Sequence, residues 1–329
     1  MNRPTRTIAV AHLCMLGACS IWGLMSPMTK EVTATGLIGG PELVTFRVAG
    51  AAVCFWTASL FVRRERLARR RDYALFLAAA LLCVVFNQCC YTIGIAYTSP
   101  VNASIMSTTM PIFTMVLAAL VLREPVTWKK AAGVLLGAAG VVLLALASAP
   151  AAAGDRPTLG NLLCIAAQFS FALYLTLFKH LIQRYSVITT MKWMMTFAVA
   201  VILPCTWSRM AALPWADVDA ATWGRTAFVV VGGTFVAYIL STTGQKTLRP
   251  TVVGVYNYVQ PIVSCLFSVL VLGFAFGWSQ AVAIPLVFVG VWLVTQSKSR
   301  RDLRKEQQGK MAAAKNKTPQ EPKQPNHTI

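Results

Sequence analysis

Residues 97–111 read YTSPVNASIMSTTMP, and residues 247–261 read TLRPTVVGVYNYVQP. Pro100 and Pro111 of the first stretch return as Pro250 and Pro261 of the second, at an offset of 150 with no gap. The same register carries Gly94 to Gly244, Leu122 to Leu272, Trp128 to Trp278 and Gly140 to Gly290. The chain therefore reads as a duplication, and the number of helices inside one copy decides how the copies are related.

That number follows from the apolar blocks. Of 329 residues, 56% are apolar and 12% charged, and the apolar ones run in long blocks between short polar joints. About 20 such residues cross the hydrocarbon core as a helix. Ten blocks qualify, at 7–29, 40–62, 73–97, 101–122, 129–148, 159–178, 186–207, 223–244, 250–273 and 279–297. An open sheet edge is excluded from lipid, and the blocks lack the alternation of barrel strands. The first block is too long for a signal-peptide core and reads as a retained helix.

Five spans per copy is an odd number, so the second copy enters the membrane upside down. Charge tests this. With the N-terminus inside, 24 basic residues fall in cytoplasmic joints and tails, among them Arg63–Arg71, Arg123, Lys129, Lys130, Lys179, Arg184, Lys246 and Arg249. Four fall outside: Lys30, Arg156, Arg209 and Arg225. This asymmetry places both termini in the cytoplasm. Corresponding joints also exchange charge. The joint before Pro100 has none and that before Pro250 has Lys246 and Arg249, while Arg123, Lys129 and Lys130 face an uncharged counterpart at 273–280.

The expected fold is thus an all-α polytopic membrane protein of ten transmembrane helices in two inverted five-helix repeats. The first repeat takes residues 1–148, an outer linker 149–158, the second repeat 159–297, and a disordered basic cytoplasmic tail 298–329. The expected location is a plasma (inner) membrane. The net charge of +19 is a topology signal, with some attraction for anionic lipid, and not a nucleic-acid footprint.

The residues then resemble a family. Trp22-Gly23 with Pro27 and Lys30, Arg47, Pro100, Pro111, the run Leu122-Arg123-Glu124-Pro125 and the glycines Gly133, Gly137 and Gly140 stand in the order seen in EamA-type transporters of the drug/metabolite transporter superfamily. The resemblance covers roughly residues 8–297. It departs at Phe274-Ala275, where the family keeps an acidic residue, and at Ala283 and Val287, where it keeps glycine. It implies carriage of small metabolites and names no substrate.

The candidate site comes from the prolines. Pro100 and Pro250 suit a first helical turn. Pro111 and Pro261 lie about 16 Å deeper at 1.5 Å per residue, near the midplane, and act as helix kinks that free the carbonyls of Ser107 and Asn257. Polar side chains cluster there: Ser104, Ser107 and Thr108 in one copy, Tyr256, Asn257 and Gln260 in the other. The third span adds Asn87, Gln88 and Tyr91, and the eighth adds Tyr238 and Ser241; Gln168 and Tyr174 belong to the sixth. Such groups at depth line a cavity or pair between helices. The substrate-binding set is Asn87, Gln88, Tyr91, Ser107, Thr108, Tyr238, Tyr256, Asn257 and Gln260. Arg47 and Lys192 are expected just inside the two mouths, as attractants, gate latches or snorkelling cations.

Other chemistry has no residues to carry it. No carboxylate lies deep in a span, and His12 is the one intramembrane histidine. There is no GxxxxGK[ST] loop, no metal-ligand spacing and no Ser–His–acid set. The nine cysteines form no CxxC pair. The reading is a non-enzymatic secondary carrier without cofactor or metal, moving a small organic metabolite such as an amino acid, nucleoside or drug-like solute as exporter or exchanger. A non-transporting membrane receptor or scaffold is the second reading, with the fifth-span glycines and basic tail as its surfaces. That glycine face admits packing within a monomer or against a second copy in a homodimer.

Overall fold

Lipid offers a spanning backbone no hydrogen-bond partner but itself, so these segments fold as helices. The structure, a computed structural model, describes residues 3–63, 65–98, 100–146, 156–271 and 277–297, and among them there is no strand. In order the helices are α1 (Arg3–Ala34), α2 (Gly40–Leu60), α3 (Arg70–Ala80), α4 (Asn87–Tyr97), α5 (Pro100–Ser107), α6 (Thr109–Val121), α7 (Trp128–Leu146), α8 (Pro157–Leu177), α9 (Lys179–Arg184), α10 (Val187–Ala211), α11 (Ala220–Ala227), α12 (Ala237–Thr247), α13 (Pro250–Tyr256), α14 (Val259–Leu270) and α15 (Trp278–Thr295). The basic tail at 298–329, linker positions 149–155 and Phe274-Ala275 lie outside the described residues, as do the side chains of Lys30 and Ser104.

Eight of the ten apolar blocks hold a continuous helix long and apolar enough to cross a membrane. The fourth and ninth are each broken in two, α5/α6 and α13/α14. The breaks fall at Thr108 and at Asn257-Tyr258, just ahead of Pro111 and Pro261. A proline lacks the N–H that would bond the carbonyl four residues back. In the second copy that carbonyl, on Asn257, accepts instead from Gln260 N–H at 3.2 Å. Tighter bonds three residues apart also close the turns at Thr108 (3.0 Å) and Tyr258 (3.1 Å).

Two long helices carry an irregularity that composition did not announce. α3 passes into α4 through a π-helical stretch, Leu81–Phe86, and α11 into α12 through another, Phe228–Val236. The last six residues of the second lie 150 positions after the first. Each stretch leads directly to the candidate polar residues Asn87-Gln88 and Tyr238.

The loops sort onto two faces. On one face Glu65 accepts from Ser186 N–H (2.8 Å), Asp72 pairs with Arg184 (3.4 Å) and accepts from the Tyr185 hydroxyl, and Lys179 reaches the carbonyl of Leu248. There too Glu124 is shared by Lys130 (3.0 Å) and the Thr251 hydroxyl (3.1 Å), and Arg249 bonds the carbonyl of Ser297 (2.7 Å). The other face holds Glu42–Arg209 (3.7 Å) and Glu31–Arg225 (2.6 Å). The joints expected to be basic thus share one face.

Helix neighbours repeat between the halves. α1 packs on α12 and α14, and α8 packs correspondingly on α4 and α6. α2 lies against the second π-helical stretch, and α10 against α3 and the first. α2 with α10, and α7 with α15, join like positions of the two halves. The last seam is the closest. A Cβ on Gly133 would lie 2.7 Å from the carbonyl of Gly290, and one on Gly290 would lie 2.6 Å from that of Gly133. The glycine face of α7 is therefore used up within the chain.

The correspondence is incomplete, and one difference bears on the site. α13 packs along α6 near the basic face, and all seven of its residues are buried. Among the described residues no comparable contact joins α5 to α14 at the opposite face, and Ile105, Met106 and Ser107 are only half-buried.

Candidate functional site

The broken helices and the π-helical stretches bring the polar residues to the middle of the bundle. Gln88 on α4 is buried, and its Nε2 donates to the Tyr238 hydroxyl of α12 at 3.5 Å. Its Oε1 has no partner among the described residues. Trp22 of α1 stands edge-on to Tyr238, with ring centroids 5.6 Å apart, and spends its indole N–H on the carbonyl of Gly233 at 2.9 Å. Arg47 of α2 reaches the same group of helices, where its Nε donates to Thr234 Oγ1 at 3.2 Å.

A second polar group surrounds the breaks. Asn257 Nδ2 bonds the carbonyl of Gly254 (3.2 Å) and touches the Met110 sulfur (3.5 Å), while its Oδ1 accepts from Gln260 Nε2 (2.5 Å). Gln260 also approaches Cys19 of α1. Tyr256 is joined to His12 Nδ1 at 2.8 Å. Ser107 and Thr108 spend their hydroxyls on their own helix, at Ala103 (2.9 Å) and Ile105 (2.7 Å). Ser107 then receives Gln168 Nε2 (3.5 Å) and faces Tyr91.

The expected substrate-binding set is thus gathered into two groups, with Asn87 and the expected mouth cation Lys192 apart. Asn87 turns away from Gln88 and donates to the carbonyl of Ala167 on α8 (2.9 Å). Lys192 lies on the α2–α10 seam, its ammonium 4.5 Å from the ring centroid of Trp56 and 5.9 Å from that of Trp193. Beside it is an apolar crevice of about 410 Å³ lined by Ala49, Ala52, Val53, Trp56, Thr57, Thr196 and Val199. Arg47 and Lys192 stand near corresponding points of the second and seventh spans but have different surroundings. One meets buried polar groups and the other an aromatic rim.

Three participants were not in the expected set. Tyr258 donates its hydroxyl to the carbonyls of Thr108 (3.2 Å) and Val134 (3.1 Å), bridging the break of one copy to the other. Thr234 receives Arg47. Gln245 accepts from Tyr174 (3.1 Å) and donates to Ser241 (2.9 Å), extending the polar path toward the basic face. The offset held a signal for the first, because Tyr258 stands 150 residues after Thr108. Nothing in the spacing marked Gln245.

Chemically, the arrangement offers hydrogen-bond donors and acceptors and aromatic walls from both halves, and one cation, Arg47, from the first. Among the described residues no cluster of three or more His, Cys, Asp or Glu could hold a metal ion.

The comparisons with known proteins fit this architecture. The model of the EamA-like transporter family matches residues 9–146 and 158–296. Uncharacterized transporter YetK of Bacillus subtilis (strain 168) is 24% identical over 234 residues, 71% of each chain. Uncharacterized transporter YcxC of the same organism is 24% identical, over 88% of this chain and 91% of its own. An uncharacterized transporter of Archaeoglobus fulgidus is 25% identical, over 85% and 96%. A solved crystal structure, 19% identical, superposes with a TM-score of 0.70 over 87% of this chain and 96% of that one, a likeness of fold alone.

Proposed function

The chain belongs to the EamA-like transporter family, and from that premise we propose that this membrane transporter is a secondary carrier of a small organic metabolite, acting as exporter or exchanger by alternating access. Ten spans form two inverted repeats, at 1–148 and 159–297, with the basic face and both termini on the cytoplasmic side of a plasma (inner) membrane. The solute sits at the midplane between the repeats, against Gln88, Tyr91, Ser107, Thr108, Tyr238, Tyr256, Asn257 and Gln260; Asn87 holds α4 to α8 behind it. The protein works as a monomer and carries out no covalent chemistry.

The observation that carries this reading is the unequal treatment of equivalent helices. α13 is closed on α6 at the basic face, while among the described residues α5 and α14 make no comparable contact at the opposite face. Inverted repeats have two mirror arrangements of this kind, and exchanging them moves a central site from one side to the other. The polar groups sit where the helices break, so the pivots and the solute contacts are the same few turns. Use of the α7 glycines against α15 weighs against the scaffold reading, because it removes the surface such a partner would need.

The test is flux from proteoliposomes loaded with a metabolite mixture and read by mass spectrometry. Asn257→Leu and Gln260→Leu should each lower efflux at least tenfold in protein that still elutes as a folded species. Unchanged efflux in both variants would refute the site.

A further inference from the structure

We infer that Arg47, with Gln88 and Tyr238, receives the acidic group of an organic anion, so that the solute at the midplane is a carboxylate with an apolar body. This rests on the carrier reading above and gives it a substrate class.

Arg47 lies seven residues after Gly40, about 10 Å along α2 at 1.5 Å per residue. A guanidinium at that depth is costly unless something answers its charge. Among the described residues no carboxylate does. The four ion pairs among the described residues take Lys130, Arg184, Arg209 and Arg225. Glu42, five residues before Arg47 on the same helix, faces Arg209. Among the described residues Arg47 has one hydrogen-bond partner, the neutral Thr234, whose own hydroxyl is directed at the carbonyl of Val229 (3.0 Å). Its terminal N–H groups have no acceptor among the described residues, and these are the groups that grip a carboxylate in a planar fork.

The surroundings extend the site beyond a bare charge. Tyr238 lies within electrostatic reach of Arg47 and bonds Gln88, which is 6% exposed and has one end of its amide unpartnered. A buried amide left half-satisfied is expensive, and a polar atom next to the solute's acid group would complete it. Trp22, with its N–H committed to Gly233, presents only ring to this space. Cation, open amide and aromatic wall together suit a carboxylate carried on an apolar body. Lys192 is different, since its ammonium already stacks on Trp56 and Trp193.

The charge has a kinetic corollary. An empty site holds an unanswered cation, so closing it away from water is unfavourable. A bound carboxylate cancels that charge. The loaded carrier therefore reorients more readily than the empty one, and exchange outruns one-way transport.

The test uses the purified full-length chain and three probes of one shape: 4-phenylbutyrate, its neutral amide, and cationic 4-phenylbutylamine. Only the carboxylate should raise the melting temperature, because a ligand of the folded state stabilises it by mass action. Arg47→Gln should weaken that binding at least tenfold, and Arg47→Lys should keep part of it. The charge series on the unaltered chain decides alone if Arg47→Gln fails to fold. Equal shifts from the amide, full binding by Arg47→Gln, or no shift from 4-phenylbutyrate would each overturn the anion site. Counterflow in proteoliposomes separates this inference from the carrier reading. Carboxylate binding without counterflow keeps the site and removes the carrier. Counterflow of the amide or amine, undiminished in Arg47→Gln, keeps the carrier and overturns the site.

Discussion

A single methyl group at Gly290 should part the seam between α7 and α15. Built on the backbone, it would lie 2.6 Å from the Gly133 carbonyl oxygen, 2.7 Å from Gly137 N and 2.9 Å from Gly137 Cα. All three are backbone atoms of the facing helix, so no side chain can swing aside. Ordinary contact begins near 3.4 Å, and α15 must retreat by about 0.8 Å. A gap of about 0.5–1 Å forfeits a quarter to a half of each dispersion contact along the seam. Overpacking of this kind costs about 1–3 kcal/mol, offset by up to ~1 kcal/mol from alanine's better helix propensity. The net loss for Gly290→Ala should be about 1–2 kcal/mol. At about 2–4 °C per kcal/mol for chains of 150–250 residues, the apparent melting temperature should fall by several degrees. Tryptophan fluorescence on the detergent-solubilised monomer measures it, with Leu135→Ala, on the exposed side of α7, as a control that moves it far less. An unchanged or higher melting temperature in Gly290→Ala would refute the close approach. Loss of a dimer, with the monomer's melting unchanged, would mean that the seam joins two copies.

Tyr258→Phe removes one hydroxyl from the carbonyls of Thr108 and Val134. Intramembrane hydrogen bonds average ~0.6 kcal/mol, so melting should show a loss of about 0.5–1.5 kcal/mol, and an unshifted curve counts against the bridge. A Cβ on Gly254 would stand 3.3 Å from that of Thr114, close to the ~3.5–4.5 Å of a disulfide. Gly254→Cys with Thr114→Cys, in a background lacking the native cysteines, should therefore cross-link α13 to α6 and stop flux until reduced; full flux in the cross-linked protein would sink the alternating-access reading. For Glu65, burial alone would raise the pKa, but hydrogen bonds from Ser186 and Thr189 and the charge of Lys246 outweigh it and hold the carboxyl below its ordinary range. Its contribution is present above the unfolded value and lost as pH falls through the depressed one. Glu65→Gln should accordingly melt below the parent at pH 7 and converge with it in acid, and a gap constant with pH would contradict the stabilising contact of Glu65 with Ser186.

How far the fold can be read from sequence depends on what imposes each feature. Lipid imposes helix length, so the apolar blocks and the eight long helices coincide to within a few residues. Pro111 and Pro261 each free a carbonyl one turn back, so the interruptions at Thr108 and Asn257 are legible in the sequence, although Pro27, Pro204 and Pro285 lie within helices that stay continuous. Features that depend on who meets whom were not. The α7 glycines advertise close contact without naming α15 as the partner. Asn87 and Gln88 are adjacent amides, and only the three-dimensional path shows that one ties α4 to the α8 backbone while the other faces Tyr238. Arg47 and Lys192 look alike at corresponding places, yet one meets Thr234 and the other a tryptophan rim. Short-range polarity picks out the candidate residues, whereas long-range packing decides which of them lie together.

The π-helical stretches at Leu81–Phe86 and Phe228–Val236 have a consequence for how this chain can change over time. A π-helical turn holds one residue more than an α-helical one, so everything downstream is rotated by about 100° relative to an uninterrupted helix. Deleting a single residue, Val84 for example, would leave a span of adequate length and hydropathy. It would also turn Gln88 and Tyr91 off the interior and bring new side chains round in their place. The extra residue thus acts as a phase setting, independent of composition. Relatives that differ by one residue in this stretch would present a different lining through an otherwise identical scaffold, and an alignment gap placed there would mark a change of solute rather than of fold.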